Sequence, residues 1–446
     1  MRSSATRACQ ECESAIHIMA DRRHKLAQTR FVNNTQRVDA KGCSVIETQS
    51  PRRQVIYNPA AAEFQQNPFP SLRHLREYDP VHLTRLGWVL TRYKDCAEVL
   101  ASRDFGMRGI EDMLRKQVGP GPAFEFIANR FHSYDPPEHT RLRSLVARAF
   151  SARRIQEMRV HIEALAERFL DQVGTETSFD LVEKFAYPLP SWVITEMLGT
   201  PMEERMQLSV WTERILKLQG TLLPDKVTLE EGNAAAKDFM AYMREFIKVR
   251  RSKPGNDLLS GLIVAEEQGD RLTAEEIAEC VVFLSNAGFS TTRNLIGSAV
   301  VALLKNRDQW ELLVNDPSLI GEAVEEALRY DCSLISTLRF ARQETIVGNR
   351  KLAAGAAVSC LLNAANRDPE RFPDPDRFDI MRIDKKHLAF GGGVHFCLGA
   401  PLGRLQIEIA LSALLRRYPR LRLVTEKIEW RSGLYRGPIR VPVVTG

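Results

Sequence analysis

Phe390, Gly391, Gly392, Gly393, Val394, His395, Phe396, Cys397, Leu398 and Gly399 place four glycines, a histidine and a cysteine within ten consecutive positions. Glycine lets a backbone take left-handed turns and approach a flat ligand closely. The apolar spacing of Leu402, Leu405, Ile409 and Leu411 just beyond predicts a helix. A cysteine ahead of a helix start meets unpaired amide donors and the positive end of the macrodipole, which lower a thiol's pKa. Cys397 is therefore expected to act as an anionic sulfur ligand. Zinc or an iron–sulfur cluster would need three further ligands at short spacing, and only His395 and the more distant His387 are near.

A single thiolate suits heme iron. The run Phe-Gly-x-Gly-x-His-x-Cys-x-Gly at residues 390–399 resembles the heme-ligand loop of the cytochrome P-450 family. That resemblance covers about residues 55–446 and implies a mainly α fold with small β-sheets, a single heme-binding domain. It also implies heme b (iron protoporphyrin IX) as cofactor, with Cys397 as the metal ligand.

The elements that must position such a group can be read along the chain. Pro136 and Pro137 set a helix start, and His139 and Arg143, four apart, share one face. They resemble the family's propionate-holding pair, and Arg339 and His395 resemble two further propionate partners. Thr273 and Glu276 form a capping box ahead of a long apolar run to Leu304, predicting a helix of roughly 50 Å. Its centre, Ala287 to Thr292, resembles the family's oxygen-binding segment, in which an acid followed by a threonine relays protons. Thr291 matches, and Ser290 stands where the acid is usual. Both are candidate catalytic residues. Glu326 and Arg329, three apart, with Arg377 later, resemble the family's structural triad. Arg339 is expected to precede a hairpin around Ile346–Leu352 and Val358–Leu362.

Val89–Thr91 and then Lys94–Leu100 read as strand and helix. Phe105–Tyr134 reads as a long irregular lid with apolar side chains such as Met107, Phe124, Phe126 and Phe131. Residues 155–255 read as amphipathic helices broken at Pro188, Pro190, Pro201, Pro224 and Pro254, with Leu218 and Leu222 as cavity candidates.

Composition sets outer bounds. The 446 residues are 44% hydrophobic, enough for a large core around a cofactor. A net charge of +6, from 62 basic and 56 acidic residues, argues against general nucleic-acid binding and for a local basic docking face, such as Arg148 and Arg404. Eight cysteines without framework spacing fit a reducing, cytoplasmic setting. Residues 1–54 are polar, lack a signal or anchor segment, and are expected to be a disordered extension.

The expected reaction is monooxygenation by O2 of an apolar small molecule, with electrons from a ferredoxin and its NAD(P)H-linked reductase. Ser290 also suits a peroxide-driven or oxidative-coupling enzyme on the same heme, and a non-catalytic heme sensor is the third reading.

Overall fold

A 32-residue helix, Ala274–Lys305, runs through the middle of the fold. It begins at the expected capping box, with Thr273 Oγ1 accepting from the Glu276 amide and Glu276 Oε2 accepting from the Thr273 amide. From Leu295 to Leu304 every residue is buried. A helix covered on all sides carries no amphipathic stripe, and its neighbours explain the covering. Pro188–Met197, Lys226–Ser252 and Ala400–Arg417 all pack against it.

The computed structural model describes residues 57–446 apart from 148–149, 222–223, 268–271 and 432. The expectations for residues 1–54, Arg148 and Leu222 lie outside the described residues. Helices dominate, and a five-stranded sheet flanks them in the order Val81–Thr84, Gly87–Leu90, Ala357–Leu361, Ser336–Ala341, Phe105–Gly106. Arg339 precedes the hairpin as expected and sits within a strand of its own, opposite Val358, so Ala357–Leu361 pairs with that strand rather than with the hairpin. The hairpin itself is Thr345–Val347 against Arg350–Leu352. The strand Gly87–Leu90 and the helix Tyr93–Ala101 match the reading of that stretch.

Two segments differ from expectation for identifiable reasons. Phe105–Tyr134 is not an irregular loop: it holds the helices Ile110–Val118 and Pro122–Ala128 and a short turn Phe131–Ser133. Gly109, at φ +109°, and Gly121, at φ +150°, punctuate short helices there, and Pro122 occupies a first-turn position where its missing amide costs nothing. For the same reason Pro188 and Pro190 do not break a helix but open the one from Pro188 to Met197.

Glu326 and Arg329 lie within Ile320–Tyr330 and are wholly buried. Arg329 donates to both Glu326 oxygens at 2.7 and 2.8 Å, and to the carbonyls of Asn366, Pro375 and Arg377. The third member of this set is Arg382, whose Nε reaches Glu326 Oε1 at 3.3 Å. Arg377 contributes only its backbone carbonyl, and its side chain is exposed. The spacing motif thus placed the pair correctly and its partner wrongly, because the partner is chosen by how the loop after Asp379 folds back.

Candidate active site

The cysteine loop leaves a short turn at Gly393–His395 and enters the helix Ala400–Arg417. Gly393 has φ +65°, and a Cβ there would lie 2.0 Å from the Leu100 carbonyl oxygen, so only glycine fits. The Cys397 amide donates to the Phe390 carbonyl at 3.0 Å and closes the loop. Behind it, Arg404 donates to both oxygens of Glu325 at 2.6 and 2.9 Å and lies 4.6 Å over the Phe390 ring. Arg404 is therefore a paired strut beneath the loop, its side chain 35% exposed.

Cys397 opens onto a cavity of about 630 Å³, and His139, Arg143, Thr291, Arg339 and His395 line the same cavity. Cys397 is accessible only in the sense that it faces this space. Protein surrounds it, so burial pushes its thiol above the ordinary value, while the Gly399 and Ala400 amides, Arg143 and Arg404 pull the other way. The expected lowering by the helix start is real but outweighed, because apolar walls penalise the thiolate more than two amides and two partly buried arginines favour it.

His139 projects from Glu138–Ala147 and its ring centroid lies 4.2 Å from that of His395. Among the described residues neither nitrogen of either ring finds a partner, although all four atoms are buried. Burial, then Arg143, draws His139 down to about 4. Burial, then Arg339, draws His395 down to about 3. Both are neutral at ordinary pH, each with one N–H to give. Arg143 donates to the Phe396 carbonyl at 2.6 Å, tying its helix to the cysteine loop. Arg339 is 5% exposed and donates to the Leu338 carbonyl at 2.8 Å.

On the long helix, Thr291 Oγ1 donates to the Ala287 carbonyl at 2.6 Å and lines the cavity. Ser290 is buried and does not line it. Thr292 does, as do Ala287 and Gly288, whose small size leaves space in it. Leu218, expected on the cavity wall, is buried in the core, and the next residue, Gln219, lines the wall instead. Arg130 is a second residue that sequence reading missed. A lone arginine between two short helices gives no periodic signal, and its partner Gln219 is 89 residues away. Among the described residues, no group of three or more His, Cys, Asp or Glu is placed to hold a metal ion. No helix among them is long and apolar enough to cross a membrane.

The chain is similar to known proteins. The cytochrome P450 family model matches residues 314–428. Polyketide biosynthesis cytochrome P450 PksS of Bacillus subtilis (strain 168) is 36% identical over 405 residues, spanning 87% of this chain and 98% of that protein. The 6-deoxyerythronolide B hydroxylase of Saccharopolyspora erythraea is 38% identical over 384 residues, 83% and 94% of the two chains. The solved structure of P450BioI in complex with hexadec-9Z-enoic acid-ligated acyl carrier protein superposes with a TM-score of 0.81 at 35% identity, covering 86% of this chain and 100% of that one. At 36% and 38% identity over 98% and 94% of those two relatives' own lengths, this chain belongs to the cytochrome P450 family and is a heme-iron monooxygenase.

Proposed function

We propose that this protein binds heme b through Cys397 and inserts one oxygen atom of O2 into a small organic molecule held in the cavity above it. The observation that carries this reading is the convergence of Cys397, His139, His395, Arg143, Arg339 and Thr291 on one cavity. The residues fit the group. A Cβ added at Gly391 would meet nothing within 4 Å, and one at Gly399 or Gly403 only a single atom at 4.0 Å, so the glycines clear a flat face beside the sulfur. Two buried, unpartnered imidazoles and two arginines stand ready for two propionate carboxylates, which would otherwise be buried without donors. Cys397 would hold heme iron, and the group would supply the activation of dioxygen when bound.

The protein's own part is to hold, exclude and deliver. Cys397 Sγ supplies the anionic donor. Ile194, Leu284, Leu295 and Phe283 make the substrate wall apolar and keep bulk water away. Thr291 Oγ1 gives its one proton to the Ala287 carbonyl, so it accepts a hydrogen bond from a water and holds that water in the cavity, where the water's other proton is the one delivered. Ser290 faces elsewhere and brings no carboxylate, so proton delivery rests on Thr291 and water alone. That absence of an acid also keeps a second reading in play, a peroxide-driven enzyme on the same heme. Electrons come, in the first reading, from a separate ferredoxin and its reductase.

The test is turnover with a surrogate ferredoxin pair, NADPH and isotopically labelled dioxygen. One labelled oxygen atom in the product supports the proposal. Label-free product formed only with added peroxide supports the second reading.

A further inference from the structure

Five arginines line the cavity, namely Arg130, Arg143, Arg339, Arg431 and Arg436, and no aspartate or glutamate among the described residues lines it. Arg436 is neutralised by Asp331 at 3.0 Å. Arg143 and Arg339 are assigned above to the two heme carboxylates. Arg130 has no such role. Its Nε donates to the Ile127 carbonyl and its Nη1 to Gln219 Oε1, each at 3.1 Å, and among the described residues no carboxylate pairs with it. It is only 9% exposed. Burial draws it down to about 10, which leaves it cationic at neutral pH. An unpaired buried charge is strongly unfavourable, so a matching anion has much to gain.

Gln219 repeats the pattern. Arg130 can only donate, so Oε1 must be the atom that accepts from it. Gln219 Nε2 is then left buried without a partner among the described residues. Both residues line the cavity, one from the lid and one from the roof helix Arg205–Gly220. His132, beside them on the wall, is pulled well below its ordinary value by burial and by Arg130, so it adds no charge. The guanidinium lies 5.5 Å from the Phe283 ring. Phe283 is eight residues before Thr291 on the long helix, about 12 Å along its axis.

We infer that Arg130 and Gln219 Nε2 form a carboxylate anchor, and that the substrate is an apolar molecule bearing one carboxylate roughly a dozen ångströms from the oxidised carbon. Guanidinium and amide together match the two oxygens of a carboxylate. The apolar wall between Phe283 and Thr291 takes the body of the molecule. This inference rests on the reading of the cavity given above.

The experiment uses purified, heme-loaded protein and follows the optical shift on titration with dodecanoic acid and with methyl dodecanoate. Wild type should bind the acid at least about tenfold tighter than the ester, the worth of a charge-assisted hydrogen bond. Arg130→Leu should abolish that preference by weakening the acid alone, with heme content and the carbon-monoxide spectrum unchanged. Arg130→Lys should restore part of it, and Gln219→Leu should lose a smaller part. Equal affinity for acid and ester in wild type, no binding of the acid at millimolar concentration, or a preference that survives Arg130→Leu overturns the anchor. So does a preference lost on Arg431→Leu instead. Loss of heme from Arg130→Leu would make Arg130 a heme partner and also overturn it. A wild type without the thiolate spectrum would fail the underlying reading instead, so the two failures are distinguishable.

Discussion

The two sides of the cavity treat charge in opposite ways. Beneath the cysteine loop, Arg329 gives every visible donor to Glu326 or a carbonyl, Arg404 is closed by Glu325, and Arg382 completes the Glu326 carboxylate. Across the cavity, the lid and roof hold Arg130 without an acid, a half-satisfied Gln219, and His132 forced neutral. A closed polar set fixes one geometry, whereas an open one waits for a ligand to complete it. The closed set is the scaffold behind the cysteine loop, whereas the open groups face the cavity itself, His139 and His395 beside the loop and Arg130 and Gln219 at the lid and roof, and would be completed by what the cavity takes in.

If that contrast holds, damage on the sulfur side should be the more severe. Glu326→Ala leaves Arg329 as an unpaired charge at the centre of the fold and should cost about 3–5 kcal/mol of stability. The midpoint of denaturant unfolding measures it, and a loss below about 1 kcal/mol would show the set is not closed. His139→Ala combined with Arg143→Ala should come next, weakening heme retention because two donors to the carboxylates vanish. The ratio of heme to protein after purification reads this, and an unchanged ratio would place the carboxylates elsewhere.

Thr291→Ala should leave fold and heme intact. It should lower the product formed per NADPH by roughly threefold to tenfold, the worth of one net hydrogen bond, and raise peroxide release. Unchanged coupling would mean that the substrate or another residue carries the proton.

The smallest effect belongs to Glu279, half-buried on the long helix near the lid. Burial, then Glu275, pushes its carboxyl up to about 7; Glu276 adds to this, and Asn129 and Arg244 oppose it. The folded state thus binds the proton more tightly than the unfolded one. Its contribution is fully present below the ordinary value of about 4.5 and is lost as pH rises through about 7. Glu279→Gln should match wild type in unfolding free energy at pH 4 and exceed it at pH 8, by on the order of 1 kcal/mol. An identical pH profile for both proteins would remove Glu279 as the source.

Legibility followed the same divide. Cys397, the His139–Arg143 spacing and the Thr273 capping box are written within a few residues, so chemistry and period expose them. The arm of Arg382 onto Glu326 spans 56 residues, and the meeting of Arg130 with Gln219 spans 89, so neither leaves a local pattern. The lid read as a loop because helices of seven and nine residues bounded by glycines offer too few turns to show a period. Ser290 was visible as a departure from the usual acid, but the side of the helix it takes was not, since that depends on what packs there. The sulfur's own pKa reversed direction for a similar reason: the helix start is local, and the apolar wall that outweighs it is assembled from the whole chain.

The central claim is that Cys397 supplies the thiolate, and the spectrum of the reduced, carbon-monoxide-bound protein tests it most directly. Wild type should absorb at the red-shifted position characteristic of thiolate ligation, and Cys397→Ser, which offers no soft anionic donor, should lose that band while keeping its helical content. A wild type without the band, or a serine variant that retains it, would contradict the account.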